Sequence, residues 1–209
     1  MVFGFFLDLI FPPACVTCDD IGGYICERCY RAMQFHSHPI VIDLPKPSLD
    51  QLWACTTFTS TGRDFIHTYK FGEAFALAPI IGKLMAKHVP QINANFLSCV
   101  PLHKSRQRDR GFNQAQLLAK QISKHWQVPY LDTLVRTKAT TPQAQLDRKQ
   151  RLQHLKNAFT FRSSQKISGK TVLLVDDVAT TATTLNECAK VLKQQGAKTV
   201  IGLVFAHGE

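Results

Sequence analysis

Apolar residues along the chain fall into short runs, separated by stretches in which they recur every third or fourth position. Residues 52–60 and 96–100 form two such runs, the second stopped by Pro101; that length, bounded by a turn-former, is expected of a buried strand. After Gly111, the residues Phe112, Ala115, Ala119, Ile122 and Trp126 step by three and four, which is one face of an amphipathic helix. Residues 64–88 read as helical material broken around Phe71-Gly72 and again at Pro79. A strand-like segment 133–137, a polar basic stretch 138–157, an apolar segment 158–161, a strand 171–176, a helix to about Gln195 and a last strand 199–205 complete the order. Strands alternating with helices predict right-handed βαβ crossovers and a mostly parallel twisted sheet flanked by helices. Ligands of such sheets bind beyond the carboxyl ends of the strands.

The first 50 residues break that alternation. Residues 3–10 are apolar but interrupted by Asp8 and have no basic segment ahead of them, so they read as a short helix docking on the body and not as a secretion signal. No run reaches the roughly 20 apolar residues of a membrane span, and the chain is expected in the cytoplasm. Four of the seven cysteines fall as Cys15-Val-Thr-Cys18 and Cys26-Glu-Arg-Cys29. A two-residue gap turns both thiolates of a pair onto one ion, and two such knuckles close a tetrahedral four-sulfur site with no position left for a reactive water. The expected Zn²⁺ is therefore structural. A reducing compartment disfavours disulfides, and a redox pair would need one motif in a thioredoxin-like context. Gly22 and Gly23 supply the reversal between the knuckles. About 35 residues bury too little apolar surface to fold unaided, so the metal decides whether the module exists. Cys55, Cys99 and Cys188 lack partner spacing and are expected as small core residues. Prolines at 39, 45 and 47 bar a regular helix or a central strand. The expected plan is a zinc ribbon with its docking helix over residues 1–38, a linker over 39–50 and one α/β domain over 51–209.

Charge sharpens this division. The 209 residues suffice for one α/β core and a small accessory module. Residues 1–60 hold three Lys/Arg against six Asp/Glu, whereas the whole chain carries a net charge of +10. Ten of its 25 bases lie in residues 103–110 and 136–156. An anionic partner would meet the larger part.

One stretch resists a purely architectural reading. VLLVDDVATTATTL, residues 172–185, runs four apolar residues into Asp176 and Asp177 and then into Thr180, Thr181, Thr183 and Thr184. Residues 172–175 have the composition of a strand buried on both faces, and the acids are expected just past the buried span. Adjacent carboxylates repel and are tolerated where a metal, solvent or a ligand's hydroxyl donors satisfy them. A helix cap needs one threonine. Four, at the start of a helix whose buried side includes Leu185, Ala189 and Leu192, gather hydroxyls and N–H groups at the positive end of its dipole, which suits a phosphate. Acids for vicinal hydroxyls and threonines for a phosphate together describe a sugar phosphate. SGKT at residues 168–171 is no Walker A loop, since Ser164 stands where its first glycine is required and a strand follows in place of a helix.

The same stretch resembles the phosphoribosyl pyrophosphate (PRPP) signature of type I phosphoribosyltransferases. Over nearly the whole chain, CVTC and CERC, YKFGE at 69–73, VPLHKSRQRDRGFNQAQLLA at 100–119, RTKATTPQAQLDRKQRLQHLKNAF at 136–159 and the acidic-threonine motif resemble, in their order, the ComF family of competence proteins. That resemblance implies an α/β, type I phosphoribosyltransferase fold behind a small N-terminal zinc ribbon. It implies that Asp176 and Asp177 bind ribose hydroxyls, that Val178, Ala179, Thr180, Thr181, Ala182, Thr183 and Thr184 form the 5′-phosphate loop, and that Leu102, His103, Lys104 and Arg106 meet pyrophosphate and Mg²⁺. Ala182 stands where glycine is usual, and Ala179 where a larger aliphatic is usual. Residues 138–156 match a loop that closes over the site, with Arg148 and Lys149 joining the two acids in catalysis and Arg151 beside them. The implied chemistry is displacement at the anomeric carbon through an oxocarbenium-like state, with Mg²⁺ stabilising the leaving pyrophosphate. A competence role implies handling of incoming single-stranded DNA, with Lys104, Arg106, Arg108, Arg110, Lys138, Arg148, Lys149 and Arg151 as candidate contacts. Two other functions would use the same features: a phosphoribosyltransferase with its own acceptor, and an inactive fold whose ribbon recruits a partner such as a competence helicase.

Overall fold

A computed structural model of the chain describes residues 12–72, 74–138, 155 and 157–208. The expected N-terminal docking helix lies outside these residues, as do the expected loop cations Arg148, Lys149 and Arg151. Helix α1 (Glu27–Ala32) leaves the second cysteine knuckle. The body then runs β1 (Gln51–Thr57), α2 (Ser60–Phe71), α3 (Ala74–His88), β2 (Phe96–Cys99), α4 (Lys104–Arg110), α5 (Gln114–Trp126), β3 (Leu134–Arg136), β4 (Phe159–Phe161), β5 (Thr171–Ala179), α6 (Thr183–Gln194) and β6 (Thr199–His207). Four strands form a sheet in the order β1-β6-β5-β2, each neighbour parallel, while β3 and β4 pair as a separate antiparallel ribbon.

The central strands β5 and β6 are buried over nearly their whole length, which is why their sequences show no polar alternation. Each face of the sheet supports its own core. Leu173, Val175, Leu203 and Phe205 meet Phe65, Leu77, Ile81, Leu118 and Ile122 from α2, α3 and α5. Val172, Leu174, Val200 and Val204 meet Leu185, Ala189 and Leu192 of α6, together with Phe159. Helix α5 begins where the Asn113 side chain accepts from the Ala115 N–H at 3.0 Å, and it buries Ala115, Leu118, Ala119, Ile122 and Trp126.

Two boundaries differ from the sequence reading. The break at Gly72 is present, but Pro79 lies inside α3 and does not interrupt it. Proline removes a single donor there, and buried Leu77, Ala78 and Ile81 hold both sides of it. β5 does not stop at Asp176, because its pairing with β6 continues to Ala179 opposite His207. SGKT is the turn into β5, with Gly169 at φ +72°.

The proline-rich segment bends at residues 44–46, with Lys46 at φ 53°, and is fastened to the body. Ile40 pairs with Leu52, the N–H groups of Ser48 and Leu49 donate to Asn186 Oδ1 at 2.7 and 3.2 Å, and Asp50 meets Lys193 at 2.7 Å. The ribbon is fastened as well. The Phe35 ring stacks on His88 with centroids 3.5 Å apart, Tyr30 Oη lies 2.9 Å from His88 Nε2, and Met33 is buried in the α2–α3 core. Cys55, Cys99 and Cys188 are buried, as expected. No helix among the described residues is long and apolar enough to cross a membrane.

Candidate functional site

Asp176 and Asp177 do not emerge past the strand; both are buried within it. Successive strand residues point to opposite faces, so the pair is divided between two environments. Lys70, from the last turn of α2, reaches Asp177 Oδ2 at 2.5 Å. The Asp177 N–H in turn donates to Asp176 Oδ1 at 2.9 Å. Burial and the charge of Asp177 push the Asp176 carboxyl well above its ordinary range. Burial opposes ionisation of Asp177 too, but Lys70 outweighs it and holds that carboxyl below its ordinary value. One acid is thus neutralised by a cation, and the other tends to keep its proton.

Both acids nevertheless open on one cavity of about 370 Å³, whose walls include Leu102, Arg106, Arg110, Gln114 and Arg136. A second cavity of about 40 Å³ is lined by Asp176, Val178, Leu155 and every residue from Ala179 to Leu185. The two adjoin, since Asp176, Val178 and Thr184 line both. At the small cavity Ala182 is the N-cap of α6 in the left-handed conformation (φ 55°, ψ 7°), with no side-chain cap hydrogen bond. The Thr181 and Thr183 hydroxyls lie 2.9 Å apart. Ala182 itself offers no side-chain acceptor to the first turn, and a helix N-terminus of this kind suits an anion. The helix starts at Thr183, so Thr180 and Thr181 belong to the loop ahead of it.

Of the residues assigned to pyrophosphate, Leu102 and Arg106 line the large cavity. His103 is the N-cap of α4, its Nδ1 accepting from the Ser105 N–H at 3.3 Å. Lys104 and Arg108 line a different cavity with Gln107 and Gly111, and Lys138 is exposed beyond β3. Three residues in the cleft, Lys70, Arg110 and Arg136, were not among those the sequence reading assigned to PRPP. Arg110, counted there among the DNA contacts, is half-buried against Gln114 Oε1 at 2.8 Å. Arg136 is buried in β3 with its guanidinium over the Phe159 ring at 5.5 Å. Lys70 stood in YKFGE beside the buried Tyr69; a lysine next to an aromatic on the buried stripe of a helix was the available signal.

The ribbon cysteines fit zinc. The sulfurs of Cys15, Cys18, Cys26 and Cys29 all lie within 4.8 Å of one another, and those of Cys18 and Cys26 are 3.5 Å apart. Tetrahedral Zn–S bonds of about 2.3 Å give sulfur–sulfur edges of about 3.8 Å. The Asp20 backbone N–H and the Arg28 guanidinium lower the Cys18 thiol to about 6. Burial pushes Cys29 up to about 12. This is the one metal-ligand group among the described residues, so the β5 acids form no carboxylate cage of their own.

A phosphoribosyl transferase domain model matches residues 77–208, more than half of the chain, and a double zinc ribbon domain model matches residues 6–56. Competence protein F of Haemophilus influenzae is 33% identical over 197 residues, covering 90% of this chain and 82% of that protein. The chain belongs to the ComF family of phosphoribosyl transferase-domain proteins. Further ComF-like relatives are the DNA utilization protein YhgH of Escherichia coli, 33% identical over 84% of this chain and 81% of its own length, and competence protein ComFC of Streptococcus pneumoniae, 29% identical over 89% and 84%. Among solved structures, the glutamine PRPP amidotransferase of Bacillus subtilis overlaps loosely, with a TM-score of 0.45 at 16% identity over 66% of this chain and 30% of that one. In this ComF chain the acids and the threonine loop fall inside the transferase match, whereas Lys70 falls between the two matched ranges.

Proposed function

We propose that the chain binds PRPP with Mg²⁺ and handles single-stranded DNA in the cytoplasm, in the competence or DNA-utilization role named for its relatives. The observation that carries this reading is the shared wall of the two cavities, where Asp176, Val178 and Thr184 join an acid end to an anion-receiving end. A pentose spanning that wall sets its hydroxyls at Asp176 and Asp177 and its 5′-phosphate at the start of α6. Its diphosphate then lies toward Arg106, Arg110 and Arg136. Mg²⁺ is usually held by one or two carboxylates together with substrate phosphates, which suits buried acids that build no cage. When bound, it would offset charge on the leaving diphosphate. The protein's own part is to accept hydroxyl hydrogens at the Asp176 carboxylate, so binding of the sugar releases the proton that this group tends to keep.

Thermal melting tests the ligand. PRPP with Mg²⁺ at 100 times its Kd should add about 2.7 kcal/mol of stability, and the shift should exceed those given by ribose 5-phosphate or pyrophosphate alone. A PRPP shift no larger than that of pyrophosphate would remove the pentose from the site. Pyrophosphate release over candidate acceptors decides whether transfer follows binding. Single-strand binding through Z phosphate contacts should weaken with a log–log salt slope of about −0.7Z, and a flat response would remove the DNA part.

A further inference from the structure

Few large apolar side chains stand exposed among the described residues, and two of them are together. Phe71 ends α2 and Phe75 lies in the first turn of α3, each 71% exposed. The Phe75 ring meets Phe112 edge-on at 5.6 Å between centroids, and His67 lies 5.2 Å from Phe71. The Arg110 guanidinium sits over the Phe71 ring at 5.3 Å. Beside these rings runs a groove of about 540 Å³, walled by Lys70, Phe71, Arg106, Asp109, Arg110 and Phe112. Lys70, Phe71, Arg106 and Arg110 also wall the acid cleft, so the groove opens into it.

Exposed aromatic surface is unfavourable in water and marks a binding surface when it is clustered. Its surroundings identify the occupant. Three cations against one acid line this groove, Lys70 being shared with Asp177, and exposed Arg63 continues the basic face along α2. Rings interleaved with arginine hold a single strand without sequence preference, because every base has a π-face to stack and the phosphates follow the cations. A duplex offers no unstacked base to such rings.

We propose that Phe71, Phe75 and Phe112 are a stacking platform for unstacked bases of a single nucleic-acid strand, with Arg106 and Arg110 on its phosphates at the mouth of the acid cleft. The proposal rests on the single-strand part of the function above and adds the surface and the recognition chemistry.

Anisotropy with the full chain tests it, using labelled oligothymidine and an abasic strand of the same length and charge. One stacked base is worth about five-fold or more in affinity, so the chain should prefer oligothymidine by at least that factor. Phe75→Ala should lower oligothymidine affinity toward that of the abasic strand, and Phe75→Tyr should keep the preference. Equal binding of both strands by the unaltered chain, or a preference that survives Phe71→Ala/Phe75→Ala, overturns the platform while single-strand binding stands. Binding of neither strand at low salt overturns both.

Discussion

At Asp176, the proposed ligand binding and stability pull in opposite directions. Its carboxyl is raised by burial and by Asp177, so the native state holds this proton more tightly than the unfolded chain does. The associated stability is present below the ordinary carboxylate range and is lost as pH rises through the raised value. Asp176→Asn should therefore melt above the unaltered chain at neutral pH, with the gap closing near pH ~4, while any stabilisation by PRPP disappears. Asp177 has the reverse sign. Its lowered carboxyl contributes stability above the ordinary range that fades as pH falls. Asp177→Asn strands Lys70 and should cost about 1.5–3 kcal/mol by urea denaturation, toward the lower figure because Lys70 is partly exposed. Ala182 bears a third residue-scale cost, since a left-handed alanine is disfavoured by about 1–2 kcal/mol. Ala182→Gly should raise the urea midpoint, and an unchanged or lowered midpoint would show that the loop is unstrained.

At the scale of elements, periodicity revealed most of the fold and pairing supplied the rest. The stripe of α5 and the paired CxxC knuckles were legible because each is set by neighbours in sequence. The extension of β5 through both acids was not, since it depends on β6 lying alongside as far as His207. Nor was the unbroken α3, where buried residues on both sides of Pro79 override its local preference. Lys70 reaches the acids from a helix more than 100 positions earlier in the chain, a distance over which no spacing rule operates. The ribbon gives the same lesson through backbone bonds: the Thr57 N–H donates to Gln34 O at 2.9 Å and the His36 N–H to Cys55 O at 3.1 Å. Stripping zinc with a chelator should therefore release amide protection at His36 and Thr57 in hydrogen exchange, while the amides of β5 stay protected. Protection lost equally in both would mean that ribbon and sheet unfold as one unit.

Across the whole molecule, three of the bases beyond residue 60 meet at one mouth, where Lys70, Arg106 and Arg110 wall both the acid cleft and the aromatic groove. Two anionic ligands drawing on the same cations must weaken one another by equal factors. Saturating PRPP should thus raise the Kd for a single strand, and the strand should raise the Kd for PRPP. The most direct test is calorimetric titration of PRPP with Mg²⁺ into the chain and into Asp176→Asn, in two buffers of different ionisation enthalpy. One site per chain, with proton release in the unaltered chain and no binding in the variant, is the predicted result. Absence of heat in the unaltered chain, or equal binding by both, would contradict it.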